Sequence, residues 1–159
     1  MGLFERFARV DSPTIDVLLL AENGHEPAFI VQARVLSDRQ NSKMIEDASQ
    51  NNELRMDRFR KLWGQRVVVG WDILTPGNLK RLIPNVQIDE GQLELLYPNK
   101  VIPYTPDMAA DLHLNAHQSF TVKINEATTE YRQRQHEEQD QEQAHLLGNS
   151  VRPSMSDSA

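Results

Sequence analysis

The chain contains no cysteine, and that absence excludes disulfide frameworks, thiolate metal sites and thiol nucleophiles. Long apolar runs are missing as well. No segment approaches the roughly 20 apolar residues that cross a bilayer, and the opening "MGLFERFARV" is interrupted by Glu5 and Arg6 where a secretory signal needs an unbroken apolar stretch. With no export or anchoring signal, the protein is expected to act where it is made. Basic charge is scarce, 17 Lys and Arg against 23 Asp and Glu for a formal net charge of −6. That balance disfavours a duplex nucleic-acid binder, because neutralising phosphates takes a basic surface. A Gly-rich phosphate cradle, a Gly-x-Ser-x-Gly elbow, a nucleotide fingerprint and an internal repeat are all missing from the sequence. What remains is 159 residues with 39% hydrophobic content, enough for one core and a tail.

The first ordered unit is "PTIDVLLLAENGHEPAFIVQARVL". Phe29, Val31, Ala33 and Val35 alternate with Ile30, Gln32, Arg34 and Leu36, and Ile15, Val17 and Leu19 supply a matching face upstream. Asn23-Gly24 between them has the residues that take positive φ in a tight turn, so the spacing predicts a β-hairpin over 14–21 and 27–36. A lone hairpin is marginal and must pack on something. "SDRQ" at 37–40 has the form of a capping box and predicts a helix over 38–49, with Met44, Ile45 and Ala48 as its apolar stripe. "SQNN" at 49–52 is a turn or bend. Met56, Phe59, Leu62, Trp63, Val67 and Gly70 then recur at steps of three and four, which predicts a second helix that carries on into "VVVGWDI" at 67–73. Against that reading, three consecutive valines favour a strand. Gly70 marks either the end of the helix or a close backbone approach.

Thr75-Pro76 predicts a short helix stopped by Pro84, and Thr105-Pro106-Asp107 repeats the start signal for a helix over 106–116. Ser119 is a candidate cap for a following helix in which Phe120, Ile124, Ala127 and Tyr131 share a face. Between these, "NVQIDEGQLELLYPNKV" shows no clear pattern beyond Val86 and Ile88, candidates for an edge strand. The expected fold is α+β, an N-terminal β-hairpin packed on a mainly helical body. A single domain is expected over 1–130, with helices at about 38–70, 76–83 and 106–131. Residues 131–159 form a polar Gln/Glu-rich arm whose end, after about 147, has too little apolar content to order itself.

Three groups of residues bear on chemistry. His113 and His117 stand four apart, a helical spacing for two zinc ligands, but no glutamate sits between them and no third ligand accompanies them, so no metal is expected. Asp89, Glu90, Glu94, Asp107 and Asp111 are carboxylates with no accompanying catalytic motif, and helix caps and solvated faces account for them. The cluster Arg55, Arg58, Arg60, Lys61 and Arg66 reads as a solvated helix face with Glu53 and Asp57 as intrahelical partners. Contact with nucleic acid is the lesser reading, and a surface for an acidic protein segment fits at least as well as that contact.

The order of segments, with Gly70 and Trp71 at mid-chain, then Ile102, Pro103, Tyr104, Thr105 and Pro106, then Phe120, Ile124, Glu126 and Ala127, resembles the tail assembly chaperones of long-tailed bacteriophages. The resemblance covers roughly residues 14–130. The stretch between Ile73 and Val101 departs from it, being longer than the usual connection and carrying its own helix signal. The resemblance implies no enzymatic activity and no cofactor. It implies instead a protein of the host cytoplasm that binds the tape measure protein, keeps its helices soluble, promotes assembly of the tail-tube protein, and is absent from the mature virion. A helical client suits an apolar groove flanked by charge, so the candidate partner-binding residues are Arg55, Arg58, Phe59, Trp63, Trp71, Tyr104 and Phe120. Core packing is the competing role for each aromatic, and Trp71 with Tyr104 is the expected inner clasp. A tail-completion or tube-associated virion protein and a small nucleic-acid-binding regulator are the alternative functions.

Overall fold

The computed structural model describes residues 12–156, with side chains described to residue 147; the opening segment "MGLFERFARV" lies outside them. Two compact units divide after Thr128. In the first, strand β1 (Thr14–Leu20) pairs antiparallel with β2 (Phe29–Arg34), in the register Ile15↔Ala33 and Val17↔Val31. The alternation does its expected work: Val17 and Leu19 on one strand and Phe29, Val31 and Ala33 on the other are buried. The connection differs from the predicted tight turn. No glycine among the described residues has a positive φ. Instead the Asn23 side chain accepts hydrogen bonds from the backbone N–H groups of His25 and Glu26, at 2.9 and 2.8 Å, and shapes a wider loop.

Helix α1 (Asp38–Ala48) begins with the capping box, Ser37 and Gln40 each bonding the other's backbone N–H, and buries Met44 and Ala48 while Ile45 faces out. A two-residue turn follows. Asn51 and Asn52, at φ 54° and 62°, join β3 (Ser49–Gln50) to β4 (Glu53–Leu54). Positive φ at both central residues is the type I′ geometry that asparagine tolerates.

Helix α2 (Met56–Arg66) stops where the sequence periodicity says it should continue. Val68–Trp71 is strand β5, which pairs antiparallel with β2 to complete a three-stranded sheet in the order β1-β2-β5. The predicted helix over 67–70 is therefore corrected: Val67 caps α2 and the strand begins at Val68. Register explains why the pattern misleads. Trp71 faces Val31, Gly70 faces Gln32 and Val68 faces Ala33, so β5 carries one extra residue, a bulge. The bulge turns Val68 and Trp71, three apart, onto one buried face, which imitates helical spacing. β-branched propensity and the open edge of β2 decide the outcome. Met56, assigned to the buried stripe by the same pattern, is exposed instead.

Helix α3 (Pro76–Leu82) starts at Thr75, whose hydroxyl accepts the Asn78 N–H. The buried Asn78 side chain donates to the Pro27 carbonyl at 2.8 Å and fixes the hairpin loop to this helix. Helix α4 (Glu90–Leu96), capped by Asp89, occupies the stretch without a clear sequence pattern, and Val86 and Ile88 form no strand. Helix α5 (Pro106–Asn115) is capped by Thr105 as predicted. Ser119 caps nothing. Its hydroxyl donates to the Leu82 carbonyl at 2.6 Å from within a π-helical turn (His117–Val122) that leads into helix α6 (Lys123–Ser156). Phe120 and Ile124 from this passage are fully buried with Phe29, Val31, Val68, Leu74 and Ile102. In the second unit the backbone remains helical to Ser156, while the tail beyond residue 147 lies outside the described side chains.

Candidate functional site

Two aromatic clusters lie inside the first unit. In one, the Trp71 indole N–H donates to the Ile102 carbonyl at 3.0 Å, and its ring meets Phe29 and Tyr104 edge to face at 5.8 and 5.1 Å. The Tyr104 hydroxyl sits 2.5 Å from the Val68 carbonyl oxygen and 2.9 Å from that of Gly64, sharing its proton between them. Burial pushes this phenol above its ordinary pKa, so it remains a donor. The end of α2, β5 and the segment before α5 are thereby tied together. This is the clasp the sequence anticipates for Trp71 and Tyr104.

In the other cluster Trp63 packs edge to face against His113 at 4.6 Å and Phe120 at 5.9 Å, and Phe59 meets the same imidazole edge to face at 6.0 Å. The His113 Nδ1 is buried without a hydrogen-bond partner. Burial, then the charges of Arg60 and His117, pulls its pKa down to about 4, so the ring is neutral at pH 7. Among the described residues no group of three or more His, Asp or Glu side chains is placed to hold a metal ion. The carboxylates are dispersed: Asp89 caps α4, Glu90 pairs with Lys80, and Asp107 lies in the first turn of α5.

A cavity of about 440 Å³ opens beside the hairpin loop, lined by Glu26, Thr75, Lys80, Glu90, Leu93 and Tyr97 among others. Its polar groups largely satisfy one another. Glu26 accepts from the Thr75 hydroxyl, Lys80 pairs with Glu90, and Gly77 lacks the Cβ that would collide with the Glu26 carboxylate.

The outward features are elsewhere, around the start of α2. Arg55, Arg58 and Lys61 are exposed and Arg60 is half-buried, and among the described residues none of the four forms an ion pair. The predicted partnership with Glu53 and Asp57 does not form, since Glu53 belongs to β4 rather than to the helix. Only Arg66 is engaged, at 2.7 Å from Asp47, where its hydrogen bond and that of Lys43 hold the Asp47 carboxyl below the usual carboxylate range. Arg55 occupies the N-cap of α2 without any side-chain cap bond. Beside these cations Leu54 and Met56 are each 44% exposed.

Of the seven residues proposed from sequence, Trp63, Trp71 and Phe120 are thus core residues, at 2%, 8% and 0% exposure, with no face to offer a partner. Tyr104 is half-buried and committed to backbone carbonyls. Arg55, Arg58 and the rim of Phe59 remain accessible, and the sequence reading missed Leu54 and Met56 beside them. The signal for those two was the Asn-Asn turn, which brings them to the surface end of the helix. Family models, characterised proteins and solved structures yield no match to the chain.

Proposed function

We propose that this chain is a tail assembly chaperone of a long-tailed bacteriophage, a binding module without catalytic activity. It holds segments of the tape measure protein, keeps them soluble in the host cytoplasm, aids tail-tube assembly and leaves before the virion is complete. The observation that carries the reading is the basic surface of Arg55, Arg58 and Lys61, without ion pairs among the described residues and bordered by exposed Leu54 and Met56. Cations beside apolar side chains suit an amphipathic helix with an acidic flank, since charge complementarity sets approach and register while apolar contact supplies affinity. The residues that carry the resemblance belong to the core of the first unit. Trp71, Ile102 and Tyr104 meet in one clasp, Thr105 caps α5, and Phe120 with Ile124 completes the core.

Co-expression with the tape measure protein of the same genome tests the proposal. The client is expected in the soluble fraction with this protein and in the pellet without it, and equal solubility in both overturns the reading. Retention on DNA that falls steeply with salt would favour a nucleic-acid regulator instead. Detection of the chain in purified particles by mass spectrometry would favour a virion component.

A further inference from the structure

The second unit carries the chemical complement of the basic surface. Residues 135–147 hold four carboxylates, Glu137, Glu138, Asp140 and Glu142, and no lysine or arginine. They end in Leu146 and Leu147, which are 68% and 65% exposed. Residues 55–61 hold four cations against one carboxylate, with exposed Leu54 before them and exposed Met56 among them.

We infer that the acidic segment of α6 in one copy of this chain docks on the basic start of α2 in a second copy, giving a two-fold symmetric dimer. The order of groups sets the direction. Leu54, at the end of β4, precedes Arg58 and Lys61 of α2, and along α6 the carboxylates precede the leucines, so acid meets base and apolar meets apolar only when the two segments run antiparallel. The lengths agree. At a rise of about 1.5 Å per residue, Arg58 to Lys61 spans about 5 Å and Glu138 to Glu142 about 6 Å. On α6 the residues Glu138, Glu142 and Leu146 follow at steps of four and share a face. The first turn of α2 has no side-chain cap and sets Arg55 and Arg58 against the single carboxylate Asp57, so a further carboxylate near this positive end of the helix dipole is favourable. A second copy fits because every chain carries both a basic and an acidic surface, so two copies are self-complementary.

The inference rests on reading the basic face as a binding surface but not on the identity of the client. Sedimentation of the full-length chain over about 1–100 μM, in low and moderate salt, tests it. The wild type is expected to double in mass with concentration, less readily as salt rises. Arg58→Glu with Lys61→Glu, and separately Glu138→Lys with Glu142→Lys, should each keep the far-ultraviolet spectrum of the fold and weaken self-association at least tenfold. Mixing the two variants should restore a dimer, since each then offers what the other lacks. A wild type that stays monomeric throughout, a dimer that survives both charge reversals, or a mixture that fails to associate overturns the inference. A monomeric chain that still keeps the client soluble would overturn this inference alone, and a dimer with no effect on the client would overturn the functional reading alone.

Discussion

Tyr104 holds two segments to its own with one phenol, and its worth is measurable. Tyr104→Phe keeps the ring against Trp71 but leaves the Gly64 and Val68 carbonyls without their donor. A buried acceptor stripped of its partner costs about 1–3 kcal/mol, so urea unfolding should show a loss in that range. Gly64 shows how little room α2 and α5 leave between them. A Cβ there would stand 2.6 Å from the Pro106 carbonyl oxygen and 3.0 Å from the Ala110 nitrogen, both backbone atoms. Gly64→Ala should therefore destabilise by about 1–3 kcal/mol, although alanine is the better helix former by about 1 kcal/mol in an open site. Unfolding by denaturant at pH 7 checks the sign, and a gain in stability would mean the two helices separate easily. His113 adds a dependence on pH. Its folded pKa is about 4 and its unfolded value is near the ordinary 6.5, so between these limits the unfolded chain binds a proton that the folded chain refuses. Its contribution is complete above pH 6.5 and is lost as pH falls towards 4, on the order of 3 kcal/mol in all. Stability measured from pH 7 to 4 should flatten in His113→Leu relative to the wild type, and parallel curves would refute this.

Elements differ in how plainly the sequence announces them, and the difference lies in whether a local or a tertiary cause decides. Helix α1, α3 and α5 each begin at a side chain that bonds its own first turn, Ser37, Thr75 and Thr105, and such signals are complete within four residues. The hairpin of β1 and β2 was legible because one face of each strand is buried. Strand β5 was not, because its bulge depends on pairing with β2, 35 residues upstream at Val68 with Ala33 and 40 at Trp71 with Val31, and periodicity sees no partner strand. Helix α4 escaped for a related reason. Its only sequence mark is the Asp89 cap, and it buries no residue fully. The β3–β4 turn offers a test at this scale. Asn52 holds φ 62°, a conformation glycine adopts without steric cost. Asn52→Gly should stabilise by about 0.5–1 kcal/mol, read as a higher midpoint in thermal unfolding, and a lower midpoint would mean the Asn52 side chain contributes more than its backbone geometry costs.

For the molecule as a whole, the candidate site was half legible. The basic run Arg55 to Lys61 stands out in an acidic chain, but the aromatics grouped with it, Phe59 and Tyr104 only in part, turn inward, because helical spacing marks a buried face and cannot say whether a neighbouring helix or a partner buries it. That separates two kinds of substitution. Replacing Trp63 or Phe120 by alanine empties core volume and should cost about 3–5 kcal/mol, so a loss of binding there would report unfolding. Replacing Arg55, Arg58 and Lys61 together by glutamine touches no ion pair among the described residues, and exposed substitutions of this kind shift stability by about 0.5 kcal/mol or less each. If the basic face receives an acidic helical client, the triple variant should melt close to the wild type and bind the client segment about tenfold more weakly at low salt, each lost exposed pair accounting for roughly 0.2–1 kcal/mol. The gap should narrow as salt screens the wild-type contact. Titration calorimetry at two salt concentrations provides the comparison: equal affinities for wild type and variant at low salt would place the client's contact away from α2.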